Sequence, residues 1–308
     1  MRTITRLEEL SGETKPIVFA AGAFDGIHRG HQTVLARARD VAESMGGQVW
    51  VLTFEPHPLK VLAPEKAPAL LTSTPHRLQL LRMQKVDGVA LLPFTRAFAS
   101  QEPEGFIEQI HATVPALRAF VVGSNWTFGR AARGEVALLR ELGAKLGFEV
   151  HAMPGVKWDG ALISSTRIRR AVVNGELDAA EAMLGRPFSI YGTVVHGTKL
   201  GRKLGFPTAN IDPHNEVRPP PGIYASLALV DDREYIAAAF LTATPDPRKG
   251  PLDVVEVHLL DADLDLYDQD VNLRFIRKIR DEEKFEDFDS LKRHIAADVA
   301  AIRQLLAP

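Results

Sequence analysis

Two histidines in a glycine-rich segment are the first candidates for chemistry. His28 and His31 lie within Gly22–His31, between an apolar run at residues 17–21 and a helical pattern. A helix N-terminus offers free backbone N–H groups and a partial positive charge, and glycine lets the backbone approach a phosphate closely. Imidazoles three positions apart can donate hydrogen bonds to charge that develops on a reacting phosphoryl group. The spacing favours a phosphate site, although two histidines can also only cap the helix or coordinate a stray metal ion.

A second polar segment opens the last helix predicted in the N-terminal part. It provides three hydroxyl side chains and two arginines: Ser164, Ser165, Thr166, Arg167 and Arg169. Taken alone, the segment is most simply a Ser/Thr helix cap with solvated arginines. Combined with two histidines in the same kind of sheet, its hydroxyls and arginine forks favour binding of a triphosphate.

A third candidate site lies in the C-terminal part. A glycine- and base-rich loop covers residues 197–210 and ends in Pro-Thr-Ala-Asn. Such a loop can cradle a polyphosphate, and the oxygens of Thr208 and Asn210 are hard ligands suited to Mg²⁺. Glu256 alternates with two valines, which predicts that it projects from the opposite face of a strand. A mobile basic hairpin and a solvated surface glutamate are the simpler alternatives.

Strands and helices alternate over the N-terminal part, which must position the first two segments. Five buried strands are predicted at residues 17–21, 48–53, 89–92, 120–122 and 148–152. Helical patterns lie between them, and a last one runs from about residue 166 to 184. This order predicts an α/β, Rossmann-like domain with an open, doubly wound, mostly parallel sheet that binds ligands at the carboxyl ends of its strands.

The pattern changes after Gly185-Arg186-Pro187. Short β-rich segments, divided by glycine and proline, lie at residues 188–195, 222–230, 234–241, 253–260 and 270–277. They predict a small antiparallel β-barrel. An amphipathic helix follows, with Asp289 as its candidate cap and an apolar side from Leu291 to Leu305. We expect one domain over residues 1–186 and a second over 187–308.

Composition excludes several classes of protein. The 308 residues carry a formal charge of −2, with 45% hydrophobic and 25% charged residues and no cysteine. Disulfides, thiolate nucleophiles and cysteine-bound zinc are therefore excluded. The balanced charge argues against a nucleic-acid partner, and no apolar run approaches the ~20 residues of a membrane span. We expect a soluble cytoplasmic protein, monomeric or weakly homo-oligomeric, that binds small molecules.

The N-terminal motifs carry a resemblance to a known superfamily. G-x-F-D-G-x-H-x-G-H and I-S-S-T-x-I-R resemble the nucleotidylyltransferase motifs, and Thr53–Pro58 narrows the resemblance to prokaryotic FAD synthetase. The resemblance implies that His28, His31 and Arg167 are catalytic. It also implies a group of residues that bind ATP or flavin: Gly22, Phe24, Asp25, Gly26, Gly30, Asn125, Ser164, Ser165, Thr166 and Arg169. Trp126 departs from the phenylalanine expected there and could stack on a flavin, although it could equally be a core aromatic.

The C-terminal motifs resemble those of the riboflavin kinase domain. They are L-G-F-P-T-A-N at 204–210, Pro221–Ala225, Val255–His258 and Phe275–Phe285. The resemblance implies that Glu256 accepts the proton of the riboflavin 5′-hydroxyl as it attacks ATP. It also implies that Thr208 and Asn210 bind Mg²⁺. The residues expected to contact the nucleotide or flavin are Gly201, Lys203, Gly205, Thr208, Asn210 and Arg277.

Together the two resemblances follow the order of the prokaryotic bifunctional riboflavin kinase/FAD synthetases. They imply phosphorylation of riboflavin to FMN and adenylylation of FMN to FAD, each with ATP and Mg²⁺. One departure is at residues 241–247, where the family has Gly-x-Arg/Asn-Pro-Thr. This departure leaves open an adenylyltransferase whose barrel binds flavin without kinase activity. A non-catalytic flavin-sensing module is a separate alternative.

Overall fold

The computed structural model describes residues 1–197, 201, 205–231, 233–242, 255–262 and 264–306. The chain forms two compact units. Unit 1 comprises Met1–Pro68 and Thr74–Ser165, and unit 2 comprises Ala69–Ser73 and Thr166–Pro308. The five residues Ala69–Ser73 thus belong by their contacts to unit 2, although their neighbours in sequence belong to unit 1. The sequence analysis placed the boundary between the two functional domains between residues 186 and 187, and this boundary stays a prediction.

Unit 1 is built on a parallel sheet of six strands. In chain order they are β1 (Arg2–Ile4), β2 (Ile17–Ala21), β3 (Gln48–Glu55), β4 (Gly88–Pro93), β5 (Leu117–Gly123) and β6 (Glu149–Met153). Their spatial order is β1-β4-β3-β2-β5-β6, with every neighbouring pair parallel. The strand order reverses between β2 and β5, which makes this the topological switch point of the sheet. The predicted doubly wound α/β fold is confirmed.

Helices cover both faces of this sheet. They are α1 (Arg29–Ser44), α2 (Pro58–Leu62), α3 (Thr74–Met83), α4 (Arg96–Ala99), α5 (Pro103–Thr113) and α6 (Val136–Leu146). Successive residues of one strand enter different cores: Phe19 lies in one hydrophobic cluster, and Val18 and Ala20 lie in the other. Burial on both faces explains why β2 is a continuous apolar run rather than an alternating one.

One strand of the sheet was not predicted. The segment Arg2–Ile4 is only three residues long and pairs in parallel with β4 at the edge of the sheet. Two of its three side chains are exposed. A single buried isoleucine gives no periodic signal, so only the neighbouring strand identifies this segment as part of the sheet.

The predicted helix over residues 166–184 is wrong as one element. The structure has α7 (Ser165–Val173) and α8 (Leu177–Leu184), separated at Gly175, whose φ is +79°. A left-handed residue ends α7, and glycine adopts this conformation without a Cβ penalty. A short antiparallel hairpin precedes α7. Its strands, β7 (Lys157–Trp158) and β8 (Ala161–Leu162), have two residues each.

Unit 2 contains the predicted antiparallel barrel, closed by six strands. They are β9 (Ser189–Val195), β10 (Ala209–Pro213), β11 (Gly222–Val230), β12 (Arg233–Leu241), β13 (Val255–Leu259) and β14 (Asp270–Arg280). The closed order is β10-β13-β12-β11-β14-β9. The sequence indicated five β-rich segments and did not indicate β10. This strand contains asparagine, aspartate and proline, which favour a loop over a strand.

A long helix, α9 (Phe288–Leu306), follows the barrel as predicted. Its Ile302 is fully buried in a cluster with Ala225 and Leu260. The capping residue differs from the expectation: Asp287, not Asp289, accepts the N–H of Ser290 on Oδ1 at 2.6 Å. The helix begins at Phe288, two residues earlier than a cap at Asp289 would place it, so Asp289 lies inside it. Among the described residues, no helix has the length and hydropathy to span a membrane.

Candidate active sites in the two units

The two predicted histidines meet at the start of α1 in unit 1. His28 is the N-cap residue, and its Nδ1 accepts the backbone N–H of His31 at 3.3 Å. Their rings stack with centroids 3.7 Å apart and planes 15° from parallel. His28 is buried. The pair follows the carboxyl end of β2 at the switch point of the sheet, where open α/β sheets bind their ligands.

The backbone that leads into this pair is strained. Phe24, Gly26 and Ile27 have φ values of +53°, +82° and +41°, of which only the glycine adopts such a value without cost. Both Phe24 and Ile27 are 1% exposed, so buried side chains hold the turn in place. Backbone strain of this kind concentrates at ligand-binding and catalytic sites. We refer to residues 22–31 as the phosphate turn.

The start of α7 lies beside the phosphate turn. Ser165 Oγ donates a hydrogen bond to the carbonyl of Asp25 at 2.9 Å. The structure thus brings the first part of the hydroxyl–arginine segment to the turn. Further along α7, the Nε of Arg169 donates to the carbonyl of Ala69 at 2.6 Å, a contact within unit 2. The expected roles of Ser164, Thr166, Arg167 and Arg169 toward ATP stay predictions.

A buried arginine in unit 1 was missed by the sequence analysis. Arg77 of α3 donates from Nη1 to the carbonyl of Ala23 at 3.1 Å and from Nη2 to the carbonyl of Phe54 at 3.2 Å. Nη2 also lies 3.1 Å from Glu55 Oε2. Burial lowers the pKa of Arg77, while the charges of Glu55 and Asp25 act in the opposite direction. A sequence signal existed, because Arg77 lies one turn before the inward Leu81.

The segment after β5 contains Trp126 and a second aromatic residue, Phe128. Trp126 and Phe128 stack with ring centroids 4.8 Å apart and an interplanar angle of 20°. Phe128 is buried, Trp126 is half-buried against the same core, and Asn125 is exposed. Trp126 is therefore partly a core residue, and its exposed part remains accessible to a ligand. The expected contact of Asn125 with nucleotide and flavin stays a prediction.

In unit 2, two candidate residues face each other across neighbouring strands of the barrel. Asn210 of β10 is paired with Glu256 of β13 in the antiparallel register. Val255 and Val257 are 1% and 2% exposed, and Glu256 between them is half-buried on the opposite face, as the alternation predicts. Asn210 is buried, and its Oδ1 accepts no hydrogen bond from the described residues. Buried carbonyl oxygens are normally satisfied, so this acceptor is suited to a ligand or ion.

A pocket of about 300 Å³ opens beside Thr208 in the same unit. Its walls combine apolar side chains such as Val194 and Leu259 with the polar groups of Asp265 and Tyr267. The ring of His196 lies 4.0 Å from the ring of Tyr267, centroid to centroid. The sequence analysis missed this pocket, because its lining comes from four separate segments of the chain.

The remaining predicted residues of unit 2 are placed in part. Gly201 allows a close approach of the chain, since a Cβ there would lie 2.4 Å from the carbonyl oxygen of Phe206. Gly205 has φ +87°, and Arg277 is an exposed residue of β14. Lys203 lies outside the described residues. Of the divergent segment 241–247, the structure describes Leu241 and Thr242, and Thr242 Oγ1 donates to Glu282 at 3.1 Å.

Comparisons with known proteins divide the chain in the same order as the two units. A family model described as FAD synthetase matches residues 10–167, and one described as riboflavin kinase matches residues 184–306. A bifunctional riboflavin kinase/FMN adenylyltransferase from Pseudomonas fluorescens is 37% identical, with 100% of this chain and 99% of that protein covered. Its counterpart in Haemophilus influenzae is 36% identical, with 97% of each chain covered.

One solved structure is similar over nearly the whole chain. It is a crystal structure described as a macrolide-efflux protein from Streptococcus pneumoniae, with a TM-score of 0.83 and 28% sequence identity. The alignment covers 98% of each chain. The same two-part architecture therefore occurs in an experimentally determined relative.

Proposed function

The chain belongs to the bifunctional riboflavin kinase/FMN adenylyltransferase family, and we propose that its two reactions are divided between a site at the phosphate turn and a site on the barrel. The protein phosphorylates riboflavin with ATP to give FMN and transfers AMP from a second ATP to FMN to give FAD and pyrophosphate. The observation that carries the assignment is the presence of both family domains, in order, with homologous bifunctional enzymes aligned over the full length.

In the adenylylation step, a phosphate oxygen of FMN attacks the α-phosphorus of ATP. The new P–O bond forms while the bond to the β-phosphate bridging oxygen breaks, and pyrophosphate leaves with the electron pair. Because the nucleophile is already an anion, no side chain has to remove a proton from it. We assign His28 and His31 to hydrogen-bond the charge that builds on the α-phosphate, with the backbone dipoles at the N-terminus of α1 adding to the positive potential.

The geometry of the histidine pair supports this role. Nδ1 of His28 accepts the backbone N–H of His31, so this ring nitrogen carries no proton. In the neutral ring, Nε2 is then the nitrogen that carries the proton and can donate it in a hydrogen bond. The stacked ring of His31 limits rotation of His28. A donor held in one orientation before the reaction loses little free energy to reorganisation in the transition state.

In the kinase step, the riboflavin 5′-hydroxyl oxygen attacks the γ-phosphorus, and ADP leaves. We assign Glu256 to accept the hydroxyl proton. The proposed oxygen ligands of Mg²⁺ are the hydroxyl of Thr208 and the buried Oδ1 of Asn210, which has no hydrogen-bond partner in the described part of the chain. This donor set fits Mg²⁺, which commonly takes one or two protein oxygens and fills its shell with water and substrate phosphates. When bound, Mg²⁺ would neutralise charge on the phosphates.

The pocket beside Thr208 supports a place for the nucleotide in this unit. With its mixture of apolar walls and a few polar groups, it has the character of a small-molecule site, and its volume of about 300 Å³ suits a base and part of a ribose. We therefore propose that the ATP of the kinase reaction binds with its base in this pocket and its phosphates toward Thr208. Within the described ranges, no three His, Asp or Glu side chains form a metal cluster.

Product analysis tests the division of labour. The full chain is incubated with Mg²⁺, ATP and either riboflavin or FMN, and the flavins are separated by chromatography. We expect His28→Ala to abolish FAD formation and spare FMN formation, and Glu256→Gln to do the reverse. The matched control is Glu234→Gln, an exposed substitution on β12 of the same barrel. Equal loss of both activities from either change would contradict two separate sites.

The proposal also covers the setting of the enzyme. Function without nucleic acid is supported by the balanced charge of the sequence, and a cytoplasmic location is proposed with it. A monomer or weak homo-oligomer is proposed with them. Analytical ultracentrifugation at several protein concentrations is the measurement that checks the oligomeric state.

A further inference from the structure

The guanidinium of Arg77 joins the ends of two adjacent strands in unit 1. Its two terminal nitrogens donate to the carbonyls of Ala23, just after β2, and Phe54, near the end of β3. The Arg77 side chain is only 6% exposed. The Ala23 carbonyl accepts a second hydrogen bond, from Thr53 Oγ1 at 3.3 Å. Two buried donors therefore hold Ala23, the second residue of the phosphate turn.

Holding this carbonyl matters because the turn that follows is strained. Phe24 comes directly after Ala23 and has φ +53°, and Ile27, one residue before His28, has φ +41°. Such conformations persist only where the surroundings over-determine them. A fixed carbonyl at Ala23 removes the freedom by which the turn would relax, and thereby limits movement of His28.

The arginine is not placed there to satisfy its own donors. Its Nε is buried and donates to no acceptor among the described residues. Burial opposes the charged form, and Glu55, whose side chain is 41% exposed, offsets this only in part. An apolar side chain of similar size would avoid both costs but would remove the guanidinium donors from both carbonyls.

We infer that Arg77 is a positioning residue for adenylyl transfer: its forked guanidinium fixes the phosphate turn so that His28 and the N-terminus of α1 meet the α-phosphate. The inference rests on the function proposed for the turn. Arg77 itself does not contact the reacting atoms. Its contribution lies in the planar, forked guanidinium, whose two terminal nitrogens donate to two different carbonyls. A lysine has a single ammonium group and cannot reproduce this geometry.

Steady-state kinetics of full-length variants test this inference. Arg77→Lys keeps the charge and removes the fork, and we expect a fall of about 10- to 100-fold in kcat for FAD formation, as misplaced catalytic groups produce. The KM for ATP should change by less than about threefold, since the ground state does not depend on the exact position of His28. FMN formation by the same polypeptide is the internal control and should be unchanged.

Three further variants separate the fork from its surroundings. Arg82→Lys makes the same substitution at an exposed position of α3 and should leave kcat unchanged. Glu55→Gln removes the charge of the ion-pair partner but not the fork, and should change kcat by less than about threefold. Thr53→Val removes only the second donor to Ala23, and should lower kcat by about threefold. This variant decides the question if Arg77→Lys fails to fold, as thermal unfolding would show.

Several results would overturn the inference. The first is an unchanged kcat in Arg77→Lys or, if that variant does not fold, an unchanged kcat in Thr53→Val. The second is an effect of Arg77→Lys that is confined to the KM for ATP. The third is a fall in kcat in Glu55→Gln as large as the fall in Arg77→Lys. Failure of the proposed function gives a different result, because the unmodified enzyme would then release no pyrophosphate from ATP and FMN, or His28→Ala would retain FAD formation.

Discussion

Substitution of Gly30 by alanine should separate the stability of unit 1 from its activity. Gly30 is the second residue of α1. A methyl group there would lie 3.1 Å from Cε1 and 3.2 Å from Nδ1 of His28. Ordinary van der Waals contact begins near 3.4 Å, so the ring of His28 must withdraw by about 0.3 Å. The stacked ring of His31, with its centroid 3.7 Å away, restricts that movement.

The two expected effects have opposite signs. Alanine is favoured over glycine in a helix by up to about 1 kcal/mol, which corresponds to a rise in Tm of about 2–4 °C for a unit of this size. A misplacement of about 1 Å costs about 100-fold in rate, so a shift of about 0.3 Å costs about 1 kcal/mol. We therefore expect Gly30→Ala to slow FAD formation by about three- to tenfold without lowering the Tm.

The assay compares FAD formation from FMN with FMN formation from riboflavin, together with thermal unfolding. Gly105→Ala is the matched control, because Gly105 also lies in the first turn of a helix, α5, and a Cβ there meets nothing within 4 Å. It should leave both activities unchanged. An unaltered rate of FAD formation in Gly30→Ala would refute the reasoning that the position of His28 limits the reaction.

Three further predictions concern unit 2. Asn210→Ala should raise the Mg²⁺ concentration needed for half-maximal FMN formation by about tenfold, measured by Mg²⁺ titration; an unchanged requirement would exclude Asn210 as a ligand. Asp298 forms a bidentate pair with Arg280, and the side chains of Arg280 and Asp298 are 19% and 11% exposed. Asp298→Ala breaks this pair and should lower the free energy of unfolding, measured by urea denaturation, by about 1–3 kcal/mol. An unchanged free energy of unfolding would show that the pair contributes nothing to stability. Burial raises the pKa of Tyr191 and of Tyr224 to about 12, so both should ionise well above pH 10 in a spectrophotometric titration. The stability that these two tyrosines contribute should be lost as the pH rises from about 10 to 12. Ionisation of all tyrosines near pH 10 would contradict this prediction.

Much of the architecture could be predicted because its signals are local. The apolar run before Gly22 and the turn after it predicted β2 and the start of α1, and both lie where expected. The errors have equally local causes. Arg2–Ile4 is too short to show a period, and Gly175 interrupts a helix whose apolar pattern continues on both sides. The strand Ala209–Pro213 carries residues that favour loops and becomes a strand only through its partners β9 and β13.

The sites divide in the same way. His28 and His31 could be identified from their spacing, since neighbours on one helical turn are brought together by the helix itself. Arg77 could not be connected to the phosphate turn, because 54 residues separate it from Ala23 and only the packing of α3 beside β2 and β3 brings its guanidinium to that carbonyl. The pocket beside Thr208 likewise exists only once the barrel has closed.

The amino-acid sequence by itself determined the order of strands and helices, the residue types available for phosphate chemistry and the match to both family domains. These depend on short-range periodicity and on motifs that are contiguous in the chain. Tertiary structure alone decided that Arg77 donates to the Ala23 carbonyl, that Asn210 is paired with Glu256 on neighbouring strands, and that Ser165 donates to the Asp25 carbonyl. Burial and the pairing of distant residues set these features, and neither is encoded at a single position.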